Sequence, residues 1–355
     1  MRITRVTTEL RQSPFTYGGD GAGGNLRLRE MATLLVRVDT DSGITGWGEA
    51  FGFTLAGVTQ HALDTLVAPL CIGQDPRDIP ALMLLLHRRL HNYGRNGPAS
   101  FAIAGVDIAL WDIAGKLAGQ PLQRLIGGGE AREIPAYASL LRYGDPDRVA
   151  RNAEEAVGRG FRELKLHEID PICLRAARDA VPAIPLMVDI NCAFSAEDAI
   201  AWAKEIAPLT PRFIEEPVWP PEDFAAIARV RNAGGLPVAI GECAGTVEDF
   251  RAMIAAGAVD FVQPSVTKLG ISRMLDIAVL AREHGVAVMP HAPYFGPGLL
   301  ATAHLIAAWG TGAALEYYYA TLERPPFGGA LIPRNGMVAL PQSPGLGLEP
   351  DSTLT

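Results

Sequence analysis

The sequence has no apolar run of membrane-spanning length, no block of basic residues and no charged-then-apolar stretch at its N-terminus. The first absence excludes a membrane protein built on spanning helices. The second, with a net charge of −8, excludes a nucleic-acid binder, because nothing is massed to neutralise phosphates. The third makes the cytoplasm the expected location. Cysteine is scarce. Cys71, Cys173, Cys192 and Cys243 fall in no metal-type pairing, so reduced thiols without an assigned role are expected. What is abundant is ordinary: of 355 residues 48% are hydrophobic and 20% charged, core material for two domains or for one large barrel with an addition.

The first fifty residues read as a three-stranded antiparallel meander, with Asp41-Ser42-Gly43 as the turn between "TLLVRVDT" and "TGWGEA". Between the first two strands lies "FTYGGDGAGGN". Its glycines suggest a phosphate loop, but no strand-then-helix context surrounds it, and a mobile surface loop is the expectation. Helical periodicity follows over 56–69, 77–92 and 98–117, and Gly127-Gly128-Gly129 then marks a change of pattern. From about residue 133, eight short apolar segments alternate with amphipathic helices: "EIPAYAS", "FRELKLH", "PLMVD", "RFIEE", "PVAIGE", "VDFVQ", "VAVMP" and "GAALE". Such alternation predicts parallel strands covered by helices, closed into an α/β barrel. A doubly wound open sheet is disfavoured because no glycine-rich turn follows the first strand. The Pro/Gly-rich tail, with one short strand, is expected to pack back on the meander.

The strand ends share a property. His167, Asp189, Glu215, Glu242, Ser265, His291 and Glu316 recur at gaps of 22 to 27 residues, each near a strand's carboxyl end. In a parallel barrel those ends form one mouth, where catalytic groups sit. Asp189, Glu215 and Glu242 fall on consecutive strands and would repel one another unless a cation lay among them. An all-carboxylate trio suits a hard ion such as Mg²⁺, with Asn191 and Glu216 placed to orient the ligands. Lys165 and His167, on one side of a strand, flank the trio; His291 stands on the other flank and Glu316 closes the ring. Proton-transfer groups facing each other across a metal suit chemistry at a carbon next to a carboxylate. Lys268 is expected to be structural. Tyr17, Arg142 and Tyr294 are candidate substrate contacts. His61, His87, His91, His284 and His304 lie in helical stretches and are read as surface or packed side chains.

With these residues in view, the chain resembles the mandelate racemase/muconate lactonizing branch of the enolase superfamily. The resemblance rests on "AGVDIALWDIAGKLAGQPLQRLIGG" (104–128), "VDIN", "FIEEP", "GE", the segment Gln263 to Gly270, and "MPHAPYFGPG", and covers essentially the whole length. It implies a modified TIM barrel, (β/α)7β, over about 126–325, with an N-terminal α+β capping domain over 1–125. Residues 326–355 would return to the cap. Cap loops at about 15–28 and 49–57 would select the substrate. It further implies one Mg²⁺ per subunit on Asp189, Glu215 and Glu242, His291 as a base, Glu316 hydrogen-bonding the substrate carboxylate, and Lys165 as the first lysine of a Lys-x-Lys pair.

Two positions depart from that pattern. The second lysine of the pair is His167, which retains a base near neutral pH. The aspartate expected beside the histidine base is Ser265, so His291 lacks a carboxylate partner. These departures favour abstraction on one flank and assisted departure of an oxygen on the other. The implied activity is Mg²⁺-dependent dehydration of an aldonic or aldaric acid to a 2-keto-3-deoxy acid by a homo-oligomer acting on a small carboxylate. The alternatives are a racemase, epimerase or lactone cycloisomerase, or a barrel that binds metal and ligand without turnover.

Overall fold

The computed structural model describes residues 1–16 and 30–350. Tyr17 and most of the predicted loop 15–28 lie outside them. Strand β1 (Ile3–Thr16) pairs antiparallel with β2 (Glu30–Thr40), from Ile3 opposite Thr40 to Pro14 opposite Glu30. The Asp41-Ser42-Gly43 turn leads into β3 (Thr45–Ala50), with Gly43 at φ +81°. Four helices follow: α1 (Ala56–Ala62), continued through one π turn (Leu63–Val67) into α2 (Ala68–Cys71), then α3 (Ile79–Arg89) and α4 (Pro98–Ala118). Helix α4 lies directly on β3, and glycine makes this possible. A Cβ at Gly48 would stand 2.0 Å from the carbonyl oxygen of Gly105. Trp111 of α4 is half-buried at the junction of cap and barrel, where its Nε1 donates to Ser272 at 3.0 Å.

After the short α5 (Leu122–Leu125) the barrel begins. Its strands are β4 (Glu133–Ser139), β5 (Leu164–Leu166), β6 (Leu186–Asp189), β7 (Ile214–Glu215), β8 (Val238–Ile240), β9 (Phe261–Val262), β10 (Ala287–Val288) and β11 (Leu315–Tyr318). All eight predicted segments are present. Seven helices cover them: α6 (Pro146–Gly158), α7 (Pro171–Ala180), α8 (Ala196–Ile206), α9 (Phe224–Gly234), α10 (Val247–Ala255), α11 (Val266–Glu283) and α12 (Pro297–Trp309). The sequence starts the first five of these with Asp145, Asp170, Ser195, Asp223 and Thr246, whose side chains accept from free amides of the first turn.

The parallel ladder runs from β10 down to β4 and on to β11, which pairs with β4 with Glu316 opposite Tyr137. Among the described residues no ladder joins β10 to β11. That seam is bridged by the Ala292 amide, which donates to Glu316 Oε2 at 2.7 Å. Tyr137, Met187, Phe213, Ala239 and Met289 fill the barrel beneath the mouth.

The tail meets the meander at Glu349, which accepts from Trp47 Nε1 of β3. Its short strand, β13 (Met337–Ala339), pairs antiparallel with β4 rather than with the meander. The strand that does join the meander is β12 (Thr321–Leu322), which places Phe15 opposite Leu322. Further on, the tail reaches the cap: the Leu346 amide donates to Asp112 at 2.7 Å and Lys116 pairs with Glu349 at 2.6 Å. Among the described residues no helix is long and apolar enough to cross a membrane.

Candidate active site

A cavity of about 530 Å³ opens at the carboxyl ends of the barrel strands, under the cap segment that follows β3. At its floor Lys165 is fully buried in β5. Its Nζ lies 2.7 Å from Glu316 Oε1, 3.1 Å from Glu215 Oε1 and 3.7 Å from Asp189 Oδ2. Burial works against the ammonium, but the charges of Glu215, Glu316 and Asp189 outweigh it and hold the pKa well above the ordinary lysine value. One lysine does not neutralise this floor. Burial and the neighbouring Asp189 push the Glu215 carboxyl well above the usual range despite Lys165. Gln263 Nε2 supports Glu215 from one side at 2.7 Å.

Asp189, Glu215 and Glu242 each present an oxygen within 4.8 Å of the other two. Three hard oxygens, converging and short of positive charge, fit a hard divalent cation that keeps further positions for solvent and substrate oxygens. The outer oxygens of two of them face histidines. His167 Nε2 is 3.2 Å from Asp189 Oδ2, and His291 Nε2 is 2.8 Å from Glu242 Oε2. The two imidazoles thus flank the trio from opposite sides. Burial opposes ionisation of Asp189 and of Glu242, yet His167 and His291 respectively keep both carboxyls below their ordinary values.

The two histidines are oriented differently. His167 Nδ1 donates to the Leu140 carbonyl at 2.5 Å, and Arg142 Nε donates to the His167 carbonyl at 2.5 Å. His291 Nδ1 faces Ser265 Oγ at 3.3 Å; Ser265 is hydrogen-bonded to the Tyr294 hydroxyl, which donates to the His291 carbonyl at 3.1 Å. Tyr294 therefore does not line the cavity as the sequence suggested. It is buried behind His291 because its hydroxyl finds both partners there.

Four further placements refine the sequence reading. Glu316 accepts from Ser139 Oγ at 2.8 Å, from Lys165 and from the Ala292 amide. Burial opposes its ionisation, but Lys165 prevails and its carboxyl is lowered. Asn191 lines the cavity, but it is its backbone amide that orients Asp189, at 2.9 Å. Lys268 also lines the cavity; its Nζ donates to the Glu242 carbonyl at 2.7 Å and lies 4.5 Å above the Phe51 ring. Glu216 points away, toward Cys192, with its Oε2 3.5 Å from the thiol.

The cavity wall also contains residues that periodicity did not single out. Ser139 ends β4 as the other polar groups end theirs, a signal present in "EIPAYAS" but not drawn on. Phe51 and Phe53 belong to the predicted cap loop 49–57, and Phe15 and Tyr318 complete an apolar rim.

The chain matches two families. The one described as "Mandelate racemase / muconate lactonizing enzyme, N-terminal domain" covers residues 27–127, and "Enolase C-terminal domain-like" covers 148–354. A D-galactarolactone cycloisomerase of Agrobacterium fabrum is 33% identical over 98% of this chain and 96% of its own length. A D-galactonate dehydratase of Ralstonia pickettii is 32% identical over 90% of this chain and 89% of its own. A crystal structure of a racemase from Streptomyces coelicolor with bound magnesium is 26% identical and superposes with a TM-score of 0.87, covering 99% of this chain and 98% of the other.

Proposed function

Because the chain belongs to the mandelate racemase/muconate lactonizing branch of the enolase superfamily, we propose that it abstracts the proton α to the carboxylate of a sugar acid and expels an oxygen from the β-carbon. The product of such a dehydration is a 2-keto-3-deoxy acid. The observation that carries this reading is the pair of imidazole Nε2 atoms on opposite sides of one carboxylate trio. Asp189, Glu215 and Glu242 would hold Mg²⁺, which when bound supplies the positive charge that stabilises an enolate.

The proton inventory divides the labour. Lys165 is held charged by three carboxylates and has no lone pair to offer, so it is an electrostatic neighbour of the substrate rather than the base. His167 gives its Nδ1 proton to a carbonyl, leaving Nε2 as the atom that takes the α-proton. The electrons of that C–H bond form the C=C bond as the β-hydroxyl leaves. Doubly protonated His291 keeps its Nδ1 proton on Ser265 and delivers its Nε2 proton to the departing oxygen, so the leaving group is water, and the enol then tautomerises to the keto acid. The apolar rim of Phe15, Phe51, Phe53 and Tyr318 excludes water from these transfers.

A second reading uses the same groups. In cycloisomerisation of a sugar-acid lactone the departing oxygen is the ring ester's carboxylate, retained in the product. The relative named D-galactarolactone cycloisomerase, matched over nearly its full length, favours keeping this reading. The deciding experiment incubates the protein and Mg²⁺ in D₂O with aldonates, aldarates and their lactones. A semicarbazide-reactive keto acid from an open-chain acid supports dehydration, and consumption of lactone alone supports cycloisomerisation. Deuterium entering recovered substrate with inverted configuration, and no keto acid, would overturn both.

A further inference from the structure

Arg142 stands in the wall of the cavity, and the proposed reaction gives it no task. It lies in the stretch 140–144 between β4 and α6, which is tied step by step to β5 and the residues after it. The Leu140 amide donates to the Lys165 carbonyl at 2.8 Å. The amides of Tyr143 and Gly144 donate to the Glu168 carboxyl at 2.6 and 3.2 Å. Arg142 itself donates through Nε to the His167 carbonyl at 2.5 Å. The guanidinium is thus fixed through its own backbone and through Nε, on the residue that carries the proposed base.

Two observations mark it as a group for a ligand. The first is charge. Arg142, Lys165 and Lys268 are the lysine and arginine side chains that line the cavity among the described residues. Lys165 is matched by Glu215 and Glu316, and Lys268 is bound to the Glu242 carbonyl under the Phe51 ring. Arg142 makes no ion pair among the described residues. Glu168 faces it at longer range, but two amides take its oxygens, and burial holds its carboxyl above the ordinary value against them. The second observation is the donor count. Arg142 Nη2 is buried and meets no acceptor among the described residues. Buried polar nitrogens ordinarily find one, so this side chain keeps donor capacity that the fold does not consume. The cap side of the same cavity is apolar, with Phe15, Phe51, Phe53 and Leu55, a surrounding that strengthens a charge pair.

We infer that Arg142 reads a second carboxylate, so that the substrate is a sugar diacid, free or as its monolactone, rather than an aldonate. The inference rests on the reading above, in which the first carboxylate meets the trio and Lys165. With the α-carbon at His167 Nε2, the far end of the chain is offered the guanidinium held on the backbone of that same residue. The edge formed by Nη1 and Nη2 suits the two oxygens and the single charge of a carboxylate. An aldonate ends in a hydroxymethyl group, which brings no charge and leaves the guanidinium unmatched. In the lactone reaction the same edge would receive the carboxylate released as the ring opens.

Calorimetry in excess Mg²⁺ with matched acids tests this: galactarate against galactonate, glucarate against gluconate, and mannarate against mannonate. Each pair differs only in the terminal group. The full chain carries His167→Asn, so that neither acid is consumed during the titration. We expect a diacid to bind roughly 10- to 100-fold more tightly than its monoacid, the worth of a hydrogen bond to a charged group. Adding Arg142→Gln should abolish that advantage and leave the monoacid affinity unchanged; Arg142→Lys should restore part of it. A merely structural Arg142 would weaken both acids alike. Should the Arg142 variants misfold, the preference measured without them decides. A monoacid that binds as well as its diacid in every pair, an advantage that survives Arg142→Gln, equal weakening of both acids, or no binding in any pair would each overturn the assignment. A clear diacid preference without turnover of any acid or lactone in the parent protein would overturn the proposed reaction alone.

Discussion

His167 is held between two acceptors: its Nδ1 is 2.5 Å from the Leu140 carbonyl and its Nε2 is 3.2 Å from Asp189 Oδ2. A carbonyl cannot donate, so the Nδ1 proton is fixed and Nε2 is the atom left to exchange protons with a ligand. The substitution His167→Asn tests this. The amide nitrogen can still reach the Leu140 carbonyl, but nothing replaces Nε2. We expect turnover to fall by roughly 10²- to 10⁴-fold, the usual worth of a general base, with Mg²⁺ affinity by calorimetry unchanged or improved. A binding barrel without turnover would instead show no rate to lose in the parent protein.

The fold and the trio were readable because they depend on periodicity. Alternating apolar runs and helices fix the barrel, and a parallel barrel brings every strand's carboxyl end to one mouth, so Asp189, Glu215 and Glu242 had to meet. Other features depend on single rotamers and backbone atoms, which periodicity does not encode. The Leu140 carbonyl that orients His167, the burial of Tyr294 behind Ser265, and the turn of Glu216 away from the trio are of this kind. The pairing of the tail strand, Met337–Ala339, with β4 is of this kind too, because three residues carry too little pattern to choose an edge.

Lys165 is the only ammonium within 4 Å of the floor carboxylates among the described residues, so its removal should expose how much charge it balances. In Lys165→Met three buried carboxylates face each other without it. Breaking a buried ion pair by deleting one partner costs about 3–5 kcal/mol. We expect a loss of that order by denaturant unfolding in EDTA, and a smaller one in excess Mg²⁺, because an ion that binds only the folded state restores stability. Equal losses with and without Mg²⁺ would mean that the ion and the lysine do not share these carboxylates.

Ser265 and Tyr294 replace a carboxylate behind His291, and their proton order can be followed. The Tyr294 hydroxyl donates to the His291 carbonyl, so its oxygen accepts from Ser265, whose oxygen in turn accepts from His291 Nδ1. The chain fixes the tautomer without placing a negative charge beside the ring. Ser265→Ala should release it. Nitrogen NMR should show the neutral ring as a single Nδ1–H form in the parent and as a mixture in the variant, with kcat down roughly 10- to 100-fold and KM nearly constant. Tyr294→Phe should give the weaker version of both effects. An unchanged tautomer in Ser265→Ala would remove the serine from this role.

Glu49 ends β3 in the cap and is 4% exposed, yet its carboxyl accepts from the Gly298 amide at 2.8 Å, in the first turn of α12. It ties the cap to the segment that carries His291. Burial dominates over the hydrogen bonds from Gly298 and Gly296 and pushes its pKa from 4.5 up to about 7. The folded state therefore keeps a proton between pH 4.5 and 7 that the unfolded chain has already lost. Stability contributed at this site is fully present below the unfolded value and declines as pH rises through that window. The interval corresponds to roughly 3 kcal/mol at most. Asp107 is raised to about 6 by burial and acts in the same direction, so the parent curve alone does not isolate Glu49. The difference between the parent and Glu49→Gln does, because the amide keeps an acceptor for Gly298 and has no proton to lose. Unfolding free energies measured from pH 4 to 8 should diverge in favour of the variant as pH rises, then run parallel above about pH 7, where Glu49 is ionised in both states. Curves that stay parallel throughout would show that Glu49 is solvated in the folded protein and does not latch the cap.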